Sequence, residues 1–266
     1  MEASCKGHTD IVVKLANSGS DANAVNADER TALSVACATG RLDVVRALVK
    51  HGAAVEPTGE ECESPLISAA AEGHTDVVQF LLQNQVLIDT VAKDGGTALS
   101  YAADGGHTGV VTCLLENGAN VNVADLHGST PLLLSSEFGF IDVVRILLDQ
   151  GACANVNDGD GDSPLFVASS SGHFEVLELL LEHGAASQVT NNDGATPLTS
   201  ASQNRHEIPT ISSRWPCCLV HKRFVKLCLH CDACDQKDDP TDVGVSEFTQ
   251  TEGSSPEKSK SGSTHS

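Results

Sequence analysis

The sequence has few aromatic residues and no long apolar run. Phe, Trp and Tyr make up 3% of its 266 residues, so a core must be built largely from Ala, Leu and Val. No apolar run approaches the roughly 20 residues that a membrane-spanning helix needs, and the N-terminal stretch MEASCKGHTD lacks the charged and apolar regions of a signal peptide. We therefore expect no membrane partner and a cytoplasmic location, with the nucleus as the alternative.

Basic residues are also scarce. The chain has 16 Lys and Arg against 36 Asp and Glu, which gives a formal net charge of −20. Because nucleic-acid binding needs Lys and Arg to neutralise phosphates, this balance argues against a DNA or RNA partner. The same sign argues against an anionic membrane surface and favours a basic protein partner, whose encounter with an acidic chain is faster.

The ten cysteines do not form one evenly spaced framework. Five crowd between residues 217 and 234, and five are scattered through the rest of the chain: Cys5, Cys37, Cys62, Cys113 and Cys153. Single cysteines in a chain without a signal peptide are typical of small buried side chains in a reducing compartment. We interpret the scattered five in this way.

Two landmarks recur with a period of 33 residues. The first is a glycine, at Gly7, Gly40, Gly73, Gly106, Gly139 and Gly172. The second is a Ser or Thr two residues before a leucine, at Thr31, Ser64, Thr97, Thr130, Ser163 and Thr196. Two independent landmarks that keep one period over six units indicate an array of structural repeats.

Each landmark has a mechanical reason. The Ser or Thr is an N-cap for a first helix, and a Pro after it suits the first helical turn. The recurrent glycine supplies a turn, after which a second helix buries a stripe such as Val77, Val78, Leu81 and Leu82. The leucines after the caps should enter the core: Leu33, Leu66, Leu99, Leu132, Leu165 and Leu198.

A second set of glycines closes the second helices, where a left-handed residue is expected. They are Gly19, Gly52, Gly118, Gly151 and Gly184, and Gln85 takes this place in the third unit. A sequence such as ANVN (119–122) and a polar tip such as DLHGS (125–129) then predict a turn-like finger.

These units closely resemble the ankyrin repeat, with its pattern TPLHxAAxxGHxxVVxxLLxxGAxVNxxD, over residues 3 to about 206. The resemblance implies an all-α fold: an ankyrin-repeat solenoid of about six 33-residue helix–turn–helix units with β-hairpin-like fingers. One departure is systematic, because the fourth TPLH residue, a His that ties neighbouring units in the family, is replaced throughout. The replacements are Ser34, Ile67, Ser100, Leu133, Phe166 and Thr199.

The periodicity predicts three regions. Residues 1–206 form the repeat array, with a truncated first unit and a partial seventh from 196; residues 207–234 are an irregular Cys-rich segment; residues 235–266 are a disordered polar tail. Because the first unit starts inside its first helix, we expect either a frayed N-terminus or an incomplete gene model. Residues 207 onward could also derive from a different exon or frame.

No motif for catalysis stands out, so we expect no enzyme, no cofactor and no metal. Cys228, Cys231 and Cys234 could bind zinc, but a second ligand pair at finger spacing is missing, which favours an unstructured tail. Asp158–Asp162 is similar to the start of a calcium loop, but serines stand at its required Gly and Glu places, which favours a solvated turn. The residues His74, His107 and His173 share one register, where we expect them to bond local backbone.

What remains is a binding surface. In the family, the fingers and first helices line a concave groove that binds protein partners, and the residue after the TPLH element tends to face that groove. The resemblance thus predicts an apolar strip of Tyr101, Leu134 and Val167. Further candidates are one helical turn away or on a finger tip: Asp104, Glu137, Phe138, Leu126 and His127.

We therefore predict a non-catalytic protein–protein interaction scaffold whose groove binds a partner that presents Lys or Arg beside an apolar residue. Two alternatives stay open. One is a metal- or redox-responsive adaptor that acts through the Cys-rich tail, and the other is an adaptor fragment of a longer multidomain protein. The sequence does not indicate an oligomeric state.

Overall fold

The computed structural model describes residues 1–57 and 63–203. The Cys-rich segment 207–234, the polar tail 235–266 and the zinc hypothesis therefore lie outside the described residues, as do Glu60 and Glu61 and the scattered cysteine Cys62. The described part contains helices, turns and two isolated β-bridges but no strand. The predicted all-α repeat fold is confirmed.

Thirteen helices are described, and they alternate between first and second helices of successive units. The first helices are α1 (Glu2–Cys5), α3 (Ala32–Ala38), α5 (Pro65–Ala71), α7 (Ala98–Asp104), α9 (Pro131–Glu137), α11 (Pro164–Ser171) and α13 (Pro197–Gln203). The second helices are α2 (Thr9–Asn17), α4 (Leu42–Lys50), α6 (Thr75–Gln83), α8 (Thr108–Glu116), α10 (Ile141–Asp149) and α12 (Phe174–Glu182). Of these helices, none has both the length and the apolar character needed to cross a membrane.

The first helices begin at the predicted caps. The hydroxyl oxygens of Thr31, Thr97, Thr130 and Ser163 each accept a hydrogen bond from the backbone N–H three residues later, and Thr196 does the same. Ser64 is the exception, because its side chain makes no capping bond. The hydroxyls of Ser34, Ser100 and Thr199, at the fourth TPLH place, in turn accept from the backbone N–H of the cap residue. In these three units, the residue at the fourth TPLH place therefore completes a capping box at the start of its own helix.

The second residue after each second helix is left-handed. The five predicted glycines have φ between +82° and +90°, and Gln85 at the same register has φ +62°. A side chain at Gly118 would meet nothing within 4 Å, so the demand at this register comes from the backbone alone. Gln85 therefore adopts a left-handed conformation that is unfavourable for any residue with a Cβ, although the equivalent position at Gly118 has open space around it.

The core runs through all complete units as one stack of Leu, Val and Ala. The leucines at the second position of the first helices are buried, with 0–1% exposure, in five units: Leu33, Leu66, Leu99, Leu132 and Leu165. The prediction for Leu198 is wrong, because 43% of this residue is exposed. Leu198 lies on α13, the last helix of the described residues, which packs against α11. The predicted second-helix stripe is confirmed for Val77, Val78 and Leu81, whereas Leu82 is half-buried.

The fingers are tight turns that bond to their neighbours. In the finger that precedes α9, the backbone N–H of Asp125 donates to Ser129, and its carboxylate accepts from two N–H groups of the turn. The N–H of Leu126 donates to the carbonyl of Asp94 in the preceding finger at 2.8 Å. Successive finger tips are therefore linked through their backbones.

The histidines at the recurrent register do not bond local backbone as expected. The Nε2 atoms of His74, His107 and His173 instead lie 2.9–3.1 Å from carbonyl oxygens of the preceding unit, those of Ala38, Ala71 and Glu137. The prediction of a local bond was wrong because each ring reaches across to the end of the preceding first helix, 36 residues earlier. These residues tie neighbouring units together.

Arg41 and Phe140 hold that register in two of the other units. Arg41 makes the equivalent bond, from Nε to the carbonyl of Cys5 at 3.3 Å. Phe140 has no nitrogen to donate, and its ring lies over Gly106, where a side chain would approach it to 2.7 Å. The joint between the units of α7 and α9 therefore has an aromatic packing contact in place of a hydrogen bond.

The second asparagine of the ANVN element, Asn122, makes further hydrogen bonds between units. Asn122 Oδ1 accepts from the N–H of Cys153 at 2.9 Å, and its Nδ2 donates to the carbonyl of Gly151. Asn23 and Asn155 make the same pair of bonds to the following unit. At this register Glu56 and Asp89 keep only the accepting bond, because a carboxylate has no donor.

The scattered cysteines are less uniform than predicted. Cys37 is buried and Cys113 is half-buried, and burial raises the thiol pKa of both. Cys5 and Cys153 are exposed, so the prediction of a buried side chain is wrong for these two. Cys5 ends the short helix α1 and Cys153 lies in the loop after α10, and neither position faces the stack.

Replacing Gln85 by Gly should stabilise the array. We expect a gain of up to about 1 kcal/mol, because glycine adopts the left-handed conformation without a Cβ penalty. The midpoint and slope of urea unfolding measure this gain. The matched control is Gly118→Gln, which should lose a similar amount; equal stability of Gln85→Gly and wild type would contradict the strain argument.

Replacing His107 by Phe tests the bond between units. Phe keeps a planar ring at this register, as Phe140 does naturally, but it cannot donate to the carbonyl of Ala71. We expect a loss of about 1 kcal/mol in the free energy of unfolding, the net value of one partly buried hydrogen bond. An unchanged unfolding midpoint would show that ring packing, and not the bond, holds this joint.

Candidate partner-binding surface

Three predicted residues lie side by side on neighbouring first helices. Tyr101 belongs to α7, Leu134 to α9 and Val167 to α11, and α9 packs between the other two helices. Each is the fourth residue of its helix and each is half-buried. The structure therefore brings the predicted strip together and leaves part of every side chain accessible.

Two predicted acidic residues lie where these helices end. Asp104 is the last residue of α7 and Glu137 the last residue of α9, and both are exposed. The backbone carbonyl of Glu137 accepts the bond from His173, so the main chain at this place is fixed by the next unit. Each carboxylate thus sits one helical turn from the strip on a backbone held by the stack.

Phe138 adds an accessible ring directly after α9. Its exposure is 51%, and its ring stacks on that of Phe140, with ring centroids 6.1 Å apart and an angle of 29° between the planes. An aromatic pair of this geometry stabilises both rings beyond the area they bury. Phe138 is therefore exposed but supported by the neighbouring ring.

Tyr101 is anchored by a carboxylate of the preceding finger. Its hydroxyl donates to Oδ2 of Asp94 at 2.6 Å, while Oδ1 of Asp94 accepts from the N–H of Gly96 at 3.0 Å. Burial and the bond to Asp94 raise the pKa of Tyr101, and the bond from Tyr101 lowers the pKa of Asp94. The pair therefore stays neutral phenol and charged carboxylate at neutral pH, which fixes the ring.

A pocket of about 460 Å³ lies beside this ring. Its walls come from α5, from the finger that precedes α7 and from α7 itself. The lining is largely apolar and also contains two carboxylates and one lysine: Pro57, Glu63, Ser64, Ile67, Ala71, Val91, Ala92, Lys93, Asp94 and Tyr101. The predicted residue Tyr101 therefore forms one wall of a concave site.

The predicted finger-tip residues lie next to this anchor. Leu126 is bonded through its N–H to the carbonyl of Asp94, and 76% of Leu126 is exposed. His127 is exposed too, and its carbonyl accepts from the N–H of Gly159 in the following finger. The side chains of both residues are thus presented on a bonded row of finger tips.

Most of the pocket residues were not predicted from the sequence. Ile67 holds the fourth TPLH place and Ala71 the place of Asp104, but neither belongs to the strip that the family pattern indicates. Asp94 is a turn residue seven positions before Tyr101. A usable signal was present, because Ala71 is small where Asp104 and Glu137 are large, and a small residue at a groove position leaves space.

Two residues that line the pocket, Glu63 and Lys93, form ion pairs. Arg30 Nε lies 2.8 Å from a carboxylate oxygen of Glu63, and Lys93 Nζ lies 3.4 Å from one of Glu29. All four side chains are at least one-third exposed, so these pairs contribute little to stability.

The acidic finger with Asp158 is built as a turn. The carboxylate of Asp158 accepts from the N–H groups of Asp160 and Asp162. Ser163 caps α11, and the hydroxyl of Ser169 donates to a backbone carbonyl of the same helix. Across residues 1–57 and 63–203, no group of three His, Cys, Asp or Glu side chains is arranged to hold a metal ion.

Removing the hydroxyl of Tyr101 should change the titration of Asp94. In Tyr101→Phe, the pKa of Asp94 should rise towards its ordinary value, because the bond that stabilises its charged form is gone. A lowered folded pKa stabilises the fold above the unfolded pKa, and this contribution disappears as pH falls through the folded pKa. The free energy of unfolding of Tyr101→Phe should therefore lack this dependence on pH. Carboxyl-carbon NMR titration of both proteins measures the pKa of Asp94, and an equal pKa in the two proteins would contradict the role of this hydrogen bond.

Comparison with known protein families supports the repeat architecture. The family described as ankyrin repeats (3 copies) matches residues 1–91, 84–158 and 153–210. No curated protein matches the chain. Ankyrin repeats are general protein–protein interaction modules and are typically non-catalytic. Because the matched segments together span residues 1–210, well over half of the sequence, the chain belongs to the ankyrin-repeat family.

Proposed function

We propose that this array is a non-catalytic scaffold or adaptor that binds a protein partner along its first helices and finger tips. The binding surface consists of the three strip residues with the five residues around them: Tyr101, Leu134 and Val167, with Asp104, Leu126, His127, Glu137 and Phe138. The partner presents Lys or Arg beside an apolar residue. No catalytic group is part of this proposal.

The observation that carries the proposal is the pocket beside Tyr101. Its lining combines apolar side chains, among them Ile67 and Ala71, with the carboxylates of Glu63 and Asp94. An apolar side chain of the partner fits against the apolar lining, and an adjacent cationic group fits beside the carboxylates. Sites of this kind, apolar with a few placed polar groups, are typical of ligand binding.

The charge distribution favours a cationic partner. Residues 51–206 contain 21 Asp and Glu against three Lys and Arg, whereas residues 1–50 contain six of each. The acidic excess therefore lies in the units that carry the proposed surface. It raises the encounter rate with a basic partner, and salt screens this effect.

Rigidity supports binding as well. The inter-unit bonds of His107, His173 and Asn122 fix the helices and loops around the surface before a partner arrives. A partner then meets side chains whose backbone loses little entropy on binding. We place the interaction in a reducing compartment, the cytoplasm or the nucleus, because Cys5, Cys37, Cys113 and Cys153 are free thiols.

A peptide selection tests the surface and the partner chemistry together. The full chain is used to select from a random peptide library, and we expect enriched peptides with Lys or Arg next to an apolar residue. The affinity of one such peptide should fall at least about tenfold in Tyr101→Ala/Leu134→Ala/Phe138→Ala, because interface anchors dominate binding. It should also fall as ionic strength rises.

The matched control is Leu87→Ala/Val189→Ala, which truncates exposed apolar residues away from the surface and should bind as wild type does. Urea unfolding of each variant accompanies the measurement, because truncating Leu134 also removes packing. Selected peptides without basic residues would refute the partner chemistry. Equal affinity of the triple variant and the wild type would refute the site.

A further inference from the structure

The ring of Tyr101 is held in place on two sides. Its hydroxyl donates to Asp94, and a Cβ at residue 96 would lie only 2.9 Å from its Cε2 atom. Residue 96 is a glycine, whereas the equivalent residues of the other units carry side chains: Arg30, Glu63, Ser129, Asp162 and Ala195. Gly96 therefore leaves the space in which the ring lies against its own finger, and from this position the ring lines the pocket.

Acidic side chains converge near the hydroxyl of Tyr101. After burial and the bond to Asp94, the negative charges of Asp94, Glu63 and Asp125 raise the pKa of this phenol. Three carboxylates are therefore within electrostatic range of one atom. Two of them, Glu63 and Asp94, also line the pocket. The part of the pocket beside the ring is thus suited to a cation.

The two carboxylates of the pocket differ in how far they are neutralised. Oε2 of Glu63 lies 2.8 Å from Nε of Arg30, so this charge already has a cationic partner. Asp94 accepts from a phenol hydroxyl and from a backbone N–H, and these uncharged donors leave its negative charge in place. Because a carboxylate oxygen has more than one lone pair, Asp94 can accept further hydrogen bonds. Asp94 is therefore the better acceptor for a cation of the partner.

Apolar side chains on the same finger complete this part of the site. Val91 and Ala92 precede Asp94 and line the pocket with it, and 56% of Val91 is exposed. A long basic side chain packs its methylene stem against such residues while its charged head stays beside the carboxylate. The apolar residues Ile67 and Ala71 of α5 remain for the adjacent apolar side chain of the partner.

The combination of a ring and a carboxylate discriminates between the two basic residues. A guanidinium is planar and weakly hydrated, stacks on aromatic faces and forms paired hydrogen bonds with a carboxylate. An ammonium group is compact and strongly hydrated, so it loses more hydration beside a ring and gains no paired bond. The hydroxyl bond that joins Tyr101 to Asp94 keeps the ring and the carboxylate together.

We propose that the pocket is a specificity site for an arginine of the protein partner. The guanidinium lies against the ring of Tyr101 and bonds to Asp94, and the stem of the arginine packs on Val91. Lysine has the charge but lacks the planar group, so it binds here more weakly. The inference rests on the proposed function and narrows it, because it names which basic residue the partner presents.

A titration of the full chain tests the site directly, because Tyr101 is its only tyrosine. The protein carries isotope-labelled tyrosine, and its ring signals are followed by NMR. The two probes are N-acetyl-arginine methylamide and N-acetyl-lysine methylamide, added at constant ionic strength. We expect a saturable shift with the arginine probe, at a half-saturation concentration at least about threefold lower than that of the lysine probe.

The variant Asp94→Asn tests the carboxylate. Its amide oxygen can still accept from the hydroxyl of Tyr101, but its charge is gone, so the half-saturation concentration of the arginine probe should rise at least about fivefold. The matched control is Asp160→Asn, an exposed residue at the same place of a later finger, which should titrate as wild type does. Urea unfolding checks that both variants keep the fold.

Equal half-saturation by the two probes overturns the choice of arginine, and so does an arginine titration that Asp94→Asn leaves unchanged. Ring signals that neither probe shifts overturn the site itself. The peptide selection fails in a different way, because a lack of enriched peptides counts against the proposed function and not against the titration. Enriched peptides that bind the surface with Lys as often as Arg would keep the proposed function and refute the arginine site.

Discussion

The structure depends on close packing between successive first helices, which only small side chains permit. The two central places of these helices hold Ala, Cys or Ser in each of five complete units: Ala36 and Cys37, Ala69 and Ala70, Ala102 and Ala103, Ser135 and Ser136, Ala168 and Ser169. All ten are buried, and the serines satisfy their hydroxyls on carbonyls of their own helix. Serines can therefore occupy these ten positions, which we call the seam, without the free-energy cost of an unpaired buried hydroxyl.

Because the seam uses one side of each first helix, the other side is left to vary. Tyr101, Leu134 and Val167 share a register, yet they differ in size and chemistry without disturbing the stack. The joint at Phe140 shows how a change in packing reaches the surface. The hydrogen bond made elsewhere by His is absent there, and the ring that replaces it supports the exposed ring of Phe138. The presence of Phe140 in place of His thus changes the packing of Phe138, a residue of the proposed binding surface.

The sequence was sufficient for the period, the caps and the core leucines, because each of these is decided within one unit. It failed where two units meet. The partner of His107 lies 36 residues away, and the exposure of Leu198 depends on whether a neighbouring helix covers it. The pocket beside Tyr101 combines three segments, so no single segment indicates it. Periodicity reveals which residues are equivalent, whereas burial and bonding depend on what lies beside each unit.

The pocket also adjoins several places where a contact found in other units is missing, although His107 holds the backbone of Ala71 in its wall. Among the described first helices, only α1 and α5 have an N-cap side chain that makes no capping bond. Gln85 follows α6 in a strained conformation, and Glu56 and Asp89 lack the donor that Asn supplies in other units. Local stability follows from the number of such contacts, and regions with few of them open more easily. A partner that contacts both α5 and α7 through the pocket would supply contacts that the chain lacks at this joint. Binding there would therefore stabilise the fold by an amount that grows with the logarithm of partner concentration, by the linkage that couples any ligand to the state it prefers.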